Sequence, residues 1–184
     1  MKTIAIFLIF TIAQVASAEP DKMAIEDAKY FHEFDVKPGR YDKRKMFLLS
    51  VGETYCYTFK ITKPYYHEKW ASTVGLLFNN KEDNKSVHVR LFPKSRELKK
   101  YALEYSYQTR ENETVRTIEK SYLFEGFKNG QAVKINLNIS KNRQLCMEHN
   151  TIIKCRELQF EPSNLSYIGV SSKAELSVAK GKCI

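Results

Sequence analysis

Strict alternation of apolar and polar residues is the feature that most constrains the fold of this chain. Val133, Ile135 and Leu137 alternate with the polar residues between them, and residues 53–61 show the same period of two. Successive side chains of a β-strand point to opposite faces of its sheet, so this period is that of a strand with one buried face. Both segments are therefore predicted to be half-buried strands.

The rest of the chain continues this pattern in short segments. Further apolar or alternating runs occupy residues 74–78, 87–92, 101–107, 145–155, 165–170 and 174–178. Turn-forming residues separate them, such as Asn79-Asn80 and the Gly130 turn, and no window predicts an amphipathic helix longer than two turns. A parallel sheet would need crossover helices. The pattern therefore predicts an all-β, antiparallel sandwich or barrel.

The start of the chain predicts export from the cell. Lys2 precedes the apolar run 4–12, and the small residues 16–18 match a signal-peptidase site, so we expect residues 1–18 to be a signal peptide. Residues 19–45 are polar and without clear periodicity, and we expect a loosely docked extension there. Residues 46–184 are then the folded domain. No second apolar segment follows, so we expect a secreted, extracellular protein without a transmembrane anchor.

The charge of the chain limits its partners. Without Lys2, 29 basic residues stand against 21 acidic ones, which leaves a charge of about +8 with neutral histidines. Outside the cell such a surface favours anionic glycans, acidic lipids or acidic proteins over nucleic acid. The alternative interpretation is that the charge serves only solubility.

Four cysteines and four sequons agree with an oxidising secretory route. If Asn150-Thr151 forms a two-residue hairpin loop, Cys146 faces Cys155, and Cys56 is left to pair with Cys183. Three pairings are open without that hairpin. The predicted glycosylation sites are Asn84, Asn112, Asn138 and Asn164.

The order of features from residue 46 to 180 resembles a galectin carbohydrate-recognition domain. The matching segments are 51–59, 127–130 with its Phe-x-x-Gly pattern, the strand 132–140, the hairpin 145–155, and the closing pair 165–170 and 174–178. This resemblance implies two antiparallel sheets in a galectin- or concanavalin-like jelly roll. It also implies a shallow sugar groove across one sheet, with a stacking aromatic ring and polar groups for the sugar hydroxyls.

The sugar-binding signature of that family is degraded in this chain. On either side of Pro93, Arg90 stands at the position of the family's His, and Lys94 stands at that of its Arg. On the next strand, Tyr105 or Ser106 replaces an Asn. The resemblance therefore implies altered rather than ordinary galactoside specificity.

Two further positions come from counting back along the chain from Phe127. Arg116 then stands where the family has its Trp, and Glu119 stands at the first Glu. The resulting tentative ligand site consists of Arg90, Lys94, Tyr105, Arg116 and Glu119. Arginine forms two-pronged bonds with sulfate or carboxylate, so an acidic or sulfated glycan is the expected ligand.

A plainer interpretation of the same residues is an ordinary basic sheet face. Leu103 shares a strand face with Tyr101, Tyr105 and Tyr107, so these tyrosines would then point into the sandwich interior. This alternative removes the tyrosines from the ligand site and leaves the arginines on it.

No motif for catalysis, metal binding or a cofactor stands out in the sequence. The four histidines lack metal-ligand spacing, and there is no nucleophile elbow or phosphate loop. We therefore expect no enzyme, no cofactor and no metal, but a secreted binding domain whose partner is a glycan. The alternative functions are a protein-interaction or effector domain without sugar binding, and a lipid-carrying sandwich with a cavity between its sheets.

Overall fold

A computed structural model describes residues 30–46, 49–80, 82, 84–95, 98–111 and 114–184. These residues form twelve strands and no helix, in two antiparallel sheets of six strands each. Sheet A contains, in spatial order, β1 (Tyr30–Asp35), β12 (Ser172–Lys180), β3 (Thr54–Pro64), β8 (Val133–Ile139), β9 (Gln144–His149) and β10 (Ile152–Glu157). Sheet B contains β2 (Tyr41–Met46), β11 (Asn164–Val170), β4 (Thr73–Asn80), β5 (Lys85–Pro93), β6 (Lys100–Glu111) and β7 (Thr114–Lys128). The predicted all-β sandwich is confirmed.

The hydrophobic core lies between the two sheets. Val133, Ile135 and Leu137 of β8 are fully buried, as are Tyr57 and Phe59 of β3. Every second side chain on these central strands points into this layer, as the period of two predicts. Burial of their apolar surface is the main favourable term that holds the sheets together.

The sandwich begins earlier in the chain than we expected. Within the expected extension 19–45, residues 30–35 form β1 beside β12, and residues 41–46 form β2 beside β11. Both are edge strands, which join their sheets mainly through backbone hydrogen bonds and so need few apolar side chains. Phe34 alone in β1 is buried, which explains why the sequence lacks a clear period there.

Both predicted disulfides are present. Cys146 pairs with Cys155 across the β9–β10 hairpin, directly opposite in the register, and Asn150 at its turn has a φ of 55°. Cys56 of β3 pairs with Cys183 after β12.

The predicted signal peptide and the sequon at Asn112 lie outside the described residues, as does the segment 19–29. None of the described residues forms an apolar helix of membrane-spanning length.

Candidate binding site on the outer face of sheet B

The outer face of sheet B, which is the side directed away from sheet A, carries a continuous set of polar and aromatic side chains. Antiparallel register aligns its outward residues in rows across all six strands. One row consists of Lys43, Ile168, Gly75, Arg90, Glu104 and Tyr122. The next row consists of Lys45, Ser166, Leu77, His88, Ser106 and Lys120. Glu104, Ser106 and Ser166 are almost fully buried although they point outward, so the middle of the face is recessed.

A buried carboxylate organises the centre of this face. Glu104 has no exposed side-chain surface, and its two oxygens form ion pairs with Arg90 at 2.9 Å and with Lys120 at 3.0 Å. A buried charge is strongly unfavourable unless it is paired. Glu104 therefore fixes the positions of both cations on the floor of the face.

Gly75 provides the space that Arg90 needs. A Cβ atom at Gly75 would lie 2.4 Å from the Cβ of Arg90 and 2.3 Å from the backbone oxygen of Val89. No real side chain tolerates such contacts, so only glycine allows the strands to pack this way. The residue is thus required for the geometry around Arg90.

Two aromatic rings lie beside the ion network. The Nζ of Lys120 lies 4.4 Å from the centre of the Phe92 ring, and the Cζ of Arg90 lies 5.1 Å from it. Tyr122 is 37% exposed as a residue, and the Nζ atoms of Lys120 and Lys94 each lie 5.6 Å from the centre of its ring. Cations at such distances are attracted to the ring face. The ring of Phe92 is therefore covered by two cations of the protein, whereas part of Tyr122 remains exposed to solvent.

Recesses lie at both ends of the face. The smaller, with a volume of about 330 Å³, lies between the β3–β4 connection and the end of β5, and Tyr66, Trp70, Phe92 and Lys94 are among its lining residues. The only tryptophan of the chain, Trp70, stacks on Tyr41 with ring centres 5.9 Å apart. This end of the face is therefore aromatic.

The larger recess, of about 540 Å³, involves β2, β11, β4, β5 and β6. Its floor includes Leu77, Ile168 and His88. Burial lowers the pKa of His88 to about 3, and the neighbouring charges of Arg90 and Lys43 act in the same direction. His88 is therefore neutral at physiological pH, and its Nδ1 is buried without a partner among the described residues.

The face brings together two of the five predicted ligand residues. Arg90 and Lys94 both lie on it, on either side of Phe92, and Lys94 forms an ion pair with Glu125. Tyr105 instead lies in the interior between the sheets with no exposed surface, as do Tyr101 and almost all of Tyr107. The alternative in which the tyrosines point inward is confirmed.

The other two predicted residues lie away from this cluster. Arg116 is exposed near the β6–β7 turn and lies 3.7 Å from Glu111. Glu119 forms an ion pair at 3.3 Å with Arg156 of β10, between the edges of the two sheets. Neither side chain joins Arg90 and Lys94 in the structure.

Irregularities between β6 and β7 account for this difference. The register shifts at three points along the pair, so counting back from Phe127 at regular spacing assigns the wrong side chains to the outer face. Lys120 and Tyr122 occupy that face instead. Sequence reasoning missed them, as well as Glu104, although Glu104 alternates with the inward tyrosines of β6.

Comparison with known proteins gives structural similarities alone. No family model and no curated protein matches the sequence. The chain is similar to the Caenorhabditis elegans galectin LEC-6, at 12% identity and a TM-score of 0.49, covering 80% of this chain and 95% of that one. It is similar to the carbohydrate-binding module CBM66 from Bacillus subtilis, at 8% identity and a TM-score of 0.46, covering 82% and 86%. It is also similar to the alginate lyase PA1167 from Pseudomonas aeruginosa, at 11% identity and a TM-score of 0.43, covering 71% and 65%. At such values a shared architecture does not carry a function.

Proposed function

We propose that this chain is a secreted, non-catalytic domain that binds a carbohydrate on the outer face of sheet B. The observation that carries the proposal is the exposed residue Tyr122 beside the fixed Arg90–Glu104–Lys120 network. Sugar sites combine a flat aromatic surface with a few polar groups held in place. The aromatic surface and the fixed polar groups are both present here, on two adjacent rows of the outer face.

The aromatic part of the site is Tyr122 on β7. A sugar ring has an apolar face of C–H groups, which packs on an aromatic ring, and an edge of hydroxyls. The two lysines near Tyr122 approach the same ring and lie within reach of such hydroxyls. Tyr122 thus supplies the aromatic surface of the proposed site, whereas Tyr105 of the predicted site lies in the interior.

The polar part of the site is preorganised. Arg90 donates to Glu104 through both Nε and Nη2, at 3.1 Å and 2.9 Å, so its orientation is set before any ligand arrives. Groups that are already ordered lose little conformational entropy on binding. The remaining donors of Arg90 and Lys120 are available for ligand oxygens.

Secretion is part of the same proposal. Two disulfides fit an oxidising compartment, and residues 1–18 have the pattern of a signal peptide. Among the sequons, Asn84 is exposed next to β5, whereas Asn138 and Asn164 are half-buried on strands. Asn84 is the site that we expect to be glycosylated most completely.

The test is binding of the refolded, disulfide-bonded protein to a glycan array, followed by calorimetric titration with the best ligand. Tyr122→Ala should weaken binding by about tenfold or more, because it removes the stacking surface, and Tyr122→Phe should retain most of the affinity. Tyr105→Phe should leave affinity unchanged, since Tyr105 lies in the interior.

The matched control is Phe31→Ala, which removes an aromatic ring of 51% exposure from β1 of sheet A. It should bind as the wild type does. Equal affinity of Tyr122→Ala and wild type for every ligand found would refute the site, and a wild type that binds no glycan would refute the function.

A second candidate function is protein interaction, which one surface feature favours. The edge strands β7 and β10 lie beside each other, joined by the Glu119–Arg156 ion pair, and expose four aliphatic side chains. These are Val115, Ile118, Ile152 and Ile153. Exposed apolar residues on open edge strands offer a surface for pairing with another chain. Binding to cell surfaces that survives glycosidase treatment but is lost in Ile118→Lys would favour this function over sugar binding.

A further inference from the structure

The smaller recess of the outer face, between the β3–β4 connection and the end of β5, is lined by exposed aromatic residues. Tyr66 and Trp70 are both exposed and line it together with Phe92. Trp70 also stacks on the exposed residue Tyr41 of β2, with the two ring planes 4° from parallel. Ligand pockets are lined largely by such apolar and aromatic side chains. We call this volume of about 330 Å³ the aromatic recess.

The β3–β4 connection, which carries Tyr66 and Trp70, is held in place by the segments next to it. The backbone N–H of Tyr65 donates to the carbonyl oxygen of Ser171 at 2.9 Å. The ring of His67 lies directly against Gly39, where an added Cβ atom would be 2.7 Å from its Nε2. The aromatic rings are therefore positioned before a ligand arrives, and groups that are already ordered lose little conformational entropy on binding.

The aromatic recess is continuous with the proposed site at Tyr122. Phe92 and Lys94 line the recess, and the Nζ of Lys94 lies 5.6 Å from the centre of the Tyr122 ring. Trp70 shortly precedes β4, which lies three strands away from β7 in the sheet, and neighbouring strands are about 4.8 Å apart. The two aromatic surfaces are therefore separated by roughly 14 Å. A single sugar ring cannot cover this distance, whereas an oligosaccharide can.

The charges around the aromatic recess offset one another. Lys94 forms an ion pair with Glu125, and of the other lining side chains that the structure describes, Glu68 is acidic and Lys69 is basic. Opposite charges that lie close together weaken each other's attraction for an external ion. Stacking and hydrogen bonds to hydroxyls, rather than ionic attraction, would therefore select the ligand.

The sequons of sheet B that the structure describes lie at the other end of the face. Asn84 follows the end of β4, and Asn164 pairs with Asn79 near that end, whereas Trp70 precedes the start of the strand. β4 has eight residues, so its two ends are about 23 Å apart. These attachment points for glycans are thus remote from the aromatic recess.

We propose that the aromatic recess is a second saccharide subsite, and that the ligand is a neutral β-1,4-linked pyranose chain spanning Tyr122 and Trp70. The proposal rests on the proposed function at Tyr122 and names its substrate class. β-1,4-linked glucose and N-acetylglucosamine have only equatorial ring substituents, so each ring presents flat C–H faces that pack on aromatic rings. Two aromatic surfaces along one open face fit such an extended chain.

The test uses the intrinsic fluorescence of Trp70, which is the only tryptophan of the chain and so reports on the recess alone. Cellotetraose and chitotetraose, with cellobiose and chitobiose as their short counterparts, are titrated into the disulfide-bonded protein, and emission and heat are both recorded. At least one tetrasaccharide should bind about tenfold more tightly than its disaccharide, because it contacts both aromatic surfaces. It should also shift the emission to shorter wavelength, because it covers the indole.

Variants of the two aromatic surfaces assign the contacts. In Trp70→Ala the calorimetric preference for the tetrasaccharide should fall below about twofold. Trp70→Phe keeps an aromatic ring at the recess and should retain most of the preference, which guards against a loss caused by misfolding. The matched control, Phe31→Ala on β1 of sheet A, removes an exposed ring elsewhere and should keep both the preference and the emission shift.

The outcomes separate this inference from the proposed function. If a tetrasaccharide binds and is lost in Tyr122→Ala, but leaves the emission unchanged and binds Trp70→Ala as tightly as the wild type, the second subsite falls and the proposed function stands. If the emission shifts and Tyr122→Ala binds as the wild type does, the recess stands as a sugar site and the site at Tyr122 falls. Binding of neither tetrasaccharide would overturn the inference, and the glycan array with Tyr122→Ala would still decide the proposed function.

Discussion

A single side chain, His88, links the larger recess to the stability of the fold. It lies on β5 between Leu77 of β4 and Ser106 of β6 in the same row, and the positive charges of Arg90 and Lys43 disfavour its protonation. Burial and these two cations lower its pKa from 6.5 to about 3. The folded protein therefore holds His88 neutral at any pH at which the domain is expected to work.

This pKa predicts acid sensitivity. Between pH 6.5 and pH 3 the unfolded chain binds a proton at His88 and the folded chain does not, so stability falls as the pH drops through this window and is unaffected above it. The expected loss from this group is about 2 kcal/mol between pH 7 and pH 5. Urea unfolding at both pH values should show it, and His88→Gln should lose correspondingly less stability over the same interval.

The pH dependence has a second contributor of the same sign. Burial also lowers the pKa of His32, with Arg44 as the next cause, so a residual decline remains in His88→Gln. Asp35 and Glu53 have carboxyl pKa values below their ordinary ones, so their contributions are lost only at pH values under the window measured. An identical decline in the wild type and His88→Gln would contradict the assignment.

At the level of single residues, the sequence predicted the site in part. Arg90 lies on a regular strand, so its outward position follows from alternation with Val89 and Leu91. Tyr122 lies beyond the register shifts of β6 and β7, which no local pattern reveals. The burial of Glu104 depends on two cations from neighbouring strands, and that pairing is a property of the folded sheet.

The strands differ in how far the sequence predicts them. The central strands β3 and β8 have neighbours on both sides and one face in the core, so burial imposes a period of two on their side chains. The edge strands β1 and β2 are held largely by backbone hydrogen bonds. Such bonds do not require apolar side chains, so they produce no hydrophobic pattern in the sequence. For the same reason the polar sequence of β1 and β2 predicts an extension over residues 19–45 rather than two strands.

The central strand β8 provides the test at this scale. Ile135 is fully buried and faces Tyr57 in the register, so Ile135→Val should cost about 1 kcal/mol and Ile135→Ala about 2–5 kcal/mol of unfolding free energy. Lys134→Ala, on the outer side of the same strand, should change it by less than about 0.5 kcal/mol. Similar effects of Ile135→Ala and Lys134→Ala in denaturant titrations would contradict the two-layer packing.

In the whole molecule, the two disulfides close loops of very different length. Cys56–Cys183 spans a sequence separation of 127 and joins the C-terminal segment to β3 in sheet A. Cys146–Cys155 spans a separation of 9 within one hairpin. The tail is held further by the backbone N–H of Cys183, which donates to the Asn136 side chain at 2.6 Å. The first bond thus encloses most of both sheets, and the second encloses one turn.

Loop length predicts which bond matters more for stability. A disulfide stabilises the fold because it restricts the unfolded chain. This stabilisation is about 5 kcal/mol for the long loop and about 3 kcal/mol for the short one. Cys56→Ser/Cys183→Ser should therefore lower the unfolding free energy more than Cys146→Ser/Cys155→Ser, measured in urea without reductant. Its denaturant slope should also rise, because the unfolded chain expands once the long loop is open. A larger loss in the hairpin variant would mean that local strand pairing, rather than the entropy of the unfolded chain, governs the contribution of these bonds.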